Sequence, residues 1–504
     1  MSSTFTGLQI GKSGLFSAMS GLQVTGNNIS NVNSKGYTRQ KVDTIALGSY
    51  NASMRYCTDP SNYKGLGTRI MGTSQYRDPS LDVRYRQEAA KLSENSSIGL
   101  GLNEISSVFD DAINTELDSQ ISEIIKGLQA YASDPSNMVS ENVVKTSCEV
   151  LTQFFSQNAD KLDTAYGDMT MELNDAVKSI NSALERIANL NLSIKSAEIG
   201  KYDALELKDE RNMLIDELSQ YMNIEVSTKA IPVGSGYSVE GISINFVDAS
   251  GKKHLLVDDK DFNLISSKAE YANFEISITD QKGKEIENIT ENLQNGVLKG
   301  YLDILNGNGT FAADKGNSYK GIPFYQSTLD NLANKFAEVM NATNGDKPLF
   351  EANANDVNAK ITASNIKISE AWKNSKGHYI KNSANADDTT DNSNILYMIS
   401  QINAKHKFET GGASSYEGSF QDYLTATCSN LGIQIRANDE LIKTHKLNLD
   451  DIEYSRQSVS GVSLDEEAVN MITYNYALTA ASRFLTTVDD ALGTLITNTG
   501  MVGR

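Results

Sequence analysis

Apolar positions along the chain recur in heptads at three places. At the C-terminal end, Leu464, Met471, Leu478, Leu485 and Leu492 lie seven apart, and Tyr474, Ala481, Val488 and Leu495 form a second row. A seam sustained over several heptads predicts one helix from Leu464 to about Asn498. At 1.5 Å per residue it would be roughly 50 Å long. Ser463 followed by Glu466 predicts a capping box at its start, where Asp465 and Glu467 place negative charge at the positive end of the helix dipole. The opening segment repeats the period with Leu8, Leu15, Leu22 and Ile29, and the positions three later are Gly11, Ala18, Thr25 and Val32. Such a seam of large and small residues lets a partner helix approach closely.

The third repeat runs through Leu162, Met169, Ala176, Ala183, Leu190 and Ala197, with Leu173, Ile180, Ile187 and Ile194 in the second row. It predicts a long bundle helix. Helical segments around 117–131 and 141–155 precede it, and "LELKDERNMLIDELSQYM" follows. At Asn223 the period changes to two, and "DASGKK" and Lys282-Gly283 are hairpin-turn candidates, so an antiparallel β region is expected. Helical patterning returns at "PFYQSTLDNLANKFAEVMNATNG" and again from Phe420 to Tyr454.

The expected fold class is mainly α with a β-rich insertion. Paired terminal helices comprise 1–34 and 462–504, and a discontinuous long-helix bundle comprises 35–222, 318–345 and 420–461. An outer antiparallel β domain covers 223–317. Residues 346–419, rich in Asn, Ser, Asp and Gly, form a polar insertion assigned to the outer domain.

Composition narrows the function. The 504 residues suffice for about three domains. A net charge of -19 argues against nucleic acid and anionic membranes as partners. No stretch approaches the roughly 18 apolar residues of a membrane span, and no cleavable secretory pattern opens the chain. Cys57, Cys148 and Cys428 are far apart and form no CxxC pair, so each reads as a small apolar residue.

Candidate chemistry is sparse. The histidines (His254, His378, His406, His445) have no second ligand at helical or hairpin spacing, and no phosphate-binding or nucleophile motif occurs. Neither a catalytic residue nor a metal or other cofactor is expected. Trp372 reads as a packing anchor.

Charge links the chain ends. The first 42 residues carry Lys12, Lys35, Arg39 and Lys41 and no acid, whereas the last helix carries Asp465, Glu466, Glu467, Asp489 and Asp490 against Arg483. Antiparallel pairing would bring Lys35 and Arg39 to Asp465–Glu467 and Lys12 to Asp489 and Asp490. Leu8, Leu15, Leu22 and Ile29 would meet Leu478, Leu485, Leu492 and Leu495. Exposed ion pairs contribute only about 0–1 kcal/mol each, so charge would select register while burial supplies stability. Asn27, Asn28, Asn31 and Asn33 end the first helix. They read either as turn formers or as hydrogen-bonding groups between copies.

The stretch "GLFSAMSGLQVTGNNISNVNSKGYTRQ", ending in Gly36-Tyr37-Thr38-Arg39-Gln40, resembles the N-terminal signature of bacterial flagellar axial proteins, most closely the hook-associated protein 1 family. "SGVSLDEEAVNMITYNYALTAASRFLTTVDDALGTLI" resembles that family's C-terminal element. Looser likenesses lie at "LKDERNMLIDELSQYMNIEV" and "NGVLKGYLDIL". The resemblance implies a non-enzymatic, extracellular subunit of the bacterial flagellum, exported by the flagellar type III apparatus without a cleaved signal. It implies a ring of about eleven copies, hook protein on one side and the second junction protein on the other. An export chaperone would cover the C-terminal helix. The alternative is another axial protein: hook, distal rod or second junction protein.

Overall fold

One 62-residue helix, Met138–Ile199, forms the spine of the molecule and is about 90 Å long. Asn137 caps it, its side chain accepting the Val139 and Ser140 N–H groups. The segments expected at 141–155 and 162–197 are parts of this helix. The link between them, "SQNAD", contains no Gly or Pro, and buried Asn158 donates to the Phe154 carbonyl at 2.9 Å. The inward rows are the expected ones: Leu162, Met169, Leu173, Ile180 and Ile187 are all buried.

The computed structural model describes residues 5–47, 65, 67–112, 116–234, 237–311, 319–353, 359–383, 391–409 and 415–499. In chain order the helices are α1 (Phe5–Ser30), α2 (Pro79–Ala112), α3 (Asp118–Ser133), α4 (Met138–Ile199), α5 (Leu205–Tyr221), α6 (Val297–Leu305), α7 (Ile322–Asn344), α8 (Glu370–Lys373), α9 (Ser393–Ile402), α10 (Phe420–Ser460) and α11 (Leu464–Thr499). The strands are β1 (Gln40–Ala46), β2 (Thr68–Gln75), β3 (Ile224–Gly234), β4 (Tyr237–Val247), β5 (Lys253–Asp258), β6 (Asp261–Phe262), β7 (Leu264–Lys268), β8 (Glu275–Thr279), β9 (Glu285–Asn288), β10 (Phe350–Ala352), β11 (Ile366–Ile368), β12 (His406–Glu409) and β13 (Ser415–Gly418). The fold is mostly helical, with small antiparallel sheets. Among the described residues no helix is long and apolar enough to cross a membrane.

The β insertion holds a four-stranded sheet, β3-β4-β5-β6, and a three-stranded sheet, β7-β8-β9. Both expected turns are present: Asp248 accepts the Ser250 and Lys252 N–H groups, and Gly283 takes φ +79° between β8 and β9. His254 on β5 joins the sheets, its ring nitrogens meeting Asp248 at 3.0 Å and Glu287 of β9 at 2.7 Å.

Three placements differ from the expected domain boundaries. Residues 40–75, expected in the bundle, contain the β1–β2 hairpin, which packs along α1. Residues 297–305, expected in the β domain, form α6 against α2 and α4, where Gly300 sits so close to α2 that an added Cβ would lie 2.0 Å from the Ser97 hydroxyl. The described parts of 346–419 pack against α3, α4 and α7 rather than extending an outer domain. Trp372 is 1% exposed and meets Phe350 and Tyr379, while Glu141 of α4 accepts the Tyr379 and Ile380 N–H groups at 2.7 and 2.9 Å. The aromatic anchors outweigh the polar composition between them. Cys148 is buried and Cys428 half-buried, whereas Cys57 lies outside the described residues.

Candidate assembly interface

The two ends of the chain lie side by side and antiparallel, and the contact row on α1 is made of its small residues. A Cβ added to Gly11 would lie 2.8 Å from Leu485 Cγ, and one added to Gly21 would lie 2.5 Å from the Tyr474 ring. Gly7 faces Val488 and Gly14 faces Ala481. Gly11, Ala18, Gly21, Thr25 and Asn28 are the buried positions of α1. Leu8, Leu15, Leu22 and Ile29, expected to meet leucines of α11, are half-buried beside this row. The seam is therefore turned by one position from the expected one. Bulky side chains on α11 fill the space that glycine leaves on α1, because two leucine rows could not approach so closely.

On α11, Tyr474, Leu478, Ala481, Leu485, Val488 and Leu492 form the half-buried face. Leu464 (53% exposed), Met471 (41%) and Leu495 (46%), expected in the seam, face outward. Ile472, Tyr476, Phe484 and Ile496 are also exposed, as are Phe16 and Met19 of α1. The β1–β2 hairpin covers another side of α1: Thr68 N–H donates to the Ser13 hydroxyl at 3.2 Å.

Charge pairing is concentrated at one end. Arg39 meets Glu467 at 2.7 Å and Glu466 at 2.5 Å. Burial works against the Arg39 charge, but hydrogen bonds to Glu466 and Glu467 outweigh it and raise its pKa. The other expected pairs do not form: Lys12, Lys35, Asp465, Asp489 and Asp490 make no ion pair among the described residues, and Lys12 lies over the Phe16 ring. The separated charges are solvated, so they gain little from pairing. The Glu466 N–H lies 3.5 Å from the Ser463 hydroxyl, while its carboxylate goes to Arg39 instead of closing the expected capping box.

The Gly36–Gln40 stretch is a joint that α1, α5, α10 and α11 share. Gly36 takes φ +79° directly against Met213 of α5, where an added Cβ would lie 2.1 Å from its sulfur. The Thr38 N–H donates to Asp209 at 3.0 Å, and the Arg39 N–H donates to the Ser460 carbonyl at 2.9 Å. Gln40 donates from Nε2 to Glu206 at 3.2 Å. Glu206 and Asp209 of α5 thus hold the N-terminal motif, a role that the sequence pattern did not signal. Asp209 is 5% exposed; burial raises its pKa and the Thr38 bonds oppose the rise. The Thr38 and Gln75 side chains lie nearby, yet Oδ1 has no hydrogen-bonded partner at good geometry.

Most of the asparagines bond within the chain. Asn28, 1% exposed, donates to the Gln40 carbonyl at 3.0 Å and accepts the Gln40 N–H at 3.0 Å and the Tyr37 hydroxyl at 2.9 Å. Burial raises the Tyr37 pKa, with Glu206, Asp209 and Glu467 adding to the rise, so the phenol keeps the proton it donates. Asn31 donates to Asn27, and Asn27 reaches Gln40 and Glu206. Asn33 is exposed. The exit of α1 is therefore locked by Asn28, which uses three of its four hydrogen-bonding positions within the chain and is buried away from a neighbouring copy.

Beside this joint, α2, α5 and α10 frame a cleft of about 940 Å³. Arg456 of α10 bridges its floor, 2.8 Å from Asp82 and 2.5 Å from Asp216, and Arg86 meets Asp216 at 2.7 Å. The four histidines occupy structural positions: His378 meets Glu141, His445 meets Glu88 and His406 meets the Gln401 carbonyl. No group of three metal-ligating side chains converges among the described residues.

Comparison with known proteins places this architecture. The family description "Flagellar hook-associated protein FlgK helical domain" matches residues 102–347, and "Flagellar basal body rod FlgEFG protein C-terminal" matches 455–498. Flagellar hook-associated protein 1 of Bacillus subtilis (strain 168) is 28% identical over 525 residues, covering 100% of both chains. Its counterpart in Escherichia coli (strain K12) is 25% identical over 351 residues, 68% of this chain and 57% of that one. The solved flagellar hook junction protein FlgK from Burkholderia pseudomallei covers 54% of this chain and 44% of its own at 18% identity, with a TM-score of 0.41. Matched end to end by one such protein, and through its centre by the FlgK helical-domain description, the chain is a full-length homologue of flagellar hook-associated protein 1.

Proposed function

We propose that this chain is a structural, non-catalytic subunit of the bacterial flagellum, located outside the cell. It joins hook to filament by adding copies of itself to a helical lattice. The observation that carries this reading is the antiparallel α1–α11 pair, whose outward face is apolar along most of its length: Ile472, Tyr476 and Ile496 are 56%, 72% and 71% exposed. In a homologue of flagellar hook-associated protein 1, such a face fits neighbouring copies packed around a common axis.

In this reading α1 and α11 form a two-stranded coiled coil lining the innermost tube of a ring of about eleven copies, the number the resemblance implies. The seam residues fall into two groups. Gly11, Gly21, Tyr474, Leu478, Leu485, Val488 and Leu492 hold the pair together, while Leu464, Met471 and Leu495 join the outward contacts. The bundle forms the middle layer and the β insertion the outer one. Hook protein lies on one side and the second junction protein on the other, and an export chaperone covers α11 before secretion by the flagellar type III apparatus.

Deleting the gene tests the reading: hooks should form and filaments should fail to attach. Loss of the hook itself would favour a rod or hook role, the alternative to which the rod-protein match at 455–498 belongs.

A further inference from the structure

We propose that the cleft beside the Gly36–Gln40 joint is a socket for Arg483 of a second copy of this chain, an inference that rests on the self-assembly reading above. Two unmet electrostatic needs point to it. Arg483 is the single cation on α11 between Leu464 and Asn498; it is exposed and makes no ion pair among the described residues. It adjoins Phe484, which is 44% exposed. A copy that covers this apolar face also removes the guanidinium from water, and a desolvated guanidinium needs an anion.

The cleft has the opposite need. Eight carboxylates and five cations line it, so it is acidic. Asp209, buried in its wall with Oδ1 lacking a hydrogen-bonded partner, adds to the acidity of the cleft from behind its surface. Glu217, two turns further along α5, is exposed at the cleft and unpaired among the described residues. A planar guanidinium forks onto both oxygens of one exposed carboxylate, here that of Glu217, which a lysine cannot do.

The placement also sets a register. Ser463 lines the cleft, and Arg483 lies 20 residues further along the chain, about 30 Å along the helix. Copies offset by about that distance along α11 bring Arg483 level with the next cleft. Because α11 is about 54 Å long, roughly 24 Å of the helices still overlap.

A charge swap in the full-length chain tests the contact, with the critical concentration for self-association read by sedimentation. Arg483→Glu and Glu217→Arg should each raise it at least about tenfold, and the double variant should return it to near the wild-type value. Cysteines introduced at both positions should form chain-to-chain disulfides in the assembled state, a readout independent of any loss of affinity. A double variant no better than the weaker single, or cysteines that do not cross-link, would overturn the Arg483 contact alone. Wild-type chain that never self-associates would overturn the assembly reading and this inference with it.

Discussion

Replacing Gly21 and Gly14 of α1 by alanine should have opposite effects, although both glycines lie inside the same helix. Either substitution gains about 0.8–1.0 kcal/mol of helix propensity. That gain cancels when the two variants are compared, which leaves the packing difference. At Gly14 the new methyl would lie 3.8 Å from Ala481 Cβ, an ordinary contact. At Gly21 it would lie 2.5 Å from two Tyr474 ring atoms, so the ring must leave the groove. Overpacking of this kind costs typically about 1–3 kcal/mol. Gly14→Ala should therefore tighten the α1–α11 pair by about 1 kcal/mol, and Gly21→Ala should loosen it by up to about 2 kcal/mol. Amide hydrogen exchange of α1 in the full-length chain reads both, since 1.4 kcal/mol is a factor of about ten in the opening equilibrium. Equal slowing of exchange in the two variants would show that α11 does not lie in the glycine row.

Three further outcomes follow from the joint and the bundle. Asn28→Ala leaves the buried Gln40 N–H and the Tyr37 hydroxyl without their acceptor, so it should destabilise the terminal pair by roughly 2–4 kcal/mol in denaturant titration, whereas Asn33→Ala should change little. Arg39→Ala strands Glu467, which is 1% exposed; the single variant should lose about 3–5 kcal/mol, and Arg39→Met combined with Glu467→Leu should lose clearly less. Burial, and then the charge of Asp303, push the Glu94 carboxyl up to about 7 between α2 and α6. A raised carboxyl pKa means that the folded state binds more protons, so its contribution is fully present below about pH 4.5 and is lost as pH rises through 7. Glu94→Gln should thus raise stability at pH 8 by roughly 2–3 kcal/mol and much less at pH 5, as thermal melts at the two pH values would show.

The parts of the fold legible in the sequence are those where period and burial coincide. The inward rows of α4 and the extent of α11 follow from heptads, and the two β turns from Asp248 and from Gly283. The α1 seam was displaced because periodicity weights large apolar residues, whereas contact is decided by which residues leave room; Tyr474 and Leu485 need glycines opposite them. The β1–β2 hairpin carries no turn signal next to its strands, since the residues joining them run from 47 to 67. Arg39 was legible as a charge that needs an acidic partner. The role of Asp209 was not, because its partner is a main-chain N–H, which leaves no mark in sequence.

A groove of glycines filled by one tyrosine and one leucine also acts as a gate on identity. Two leucine rows slide past each other at little cost and accept almost any amphipathic helix. Here a shift of one heptad toward the end of α1 would set Tyr474 against Asn28, a side chain already committed to Gln40. Among helices that share the same seven-residue period, such a groove sets the pairing by shape as well as by attraction.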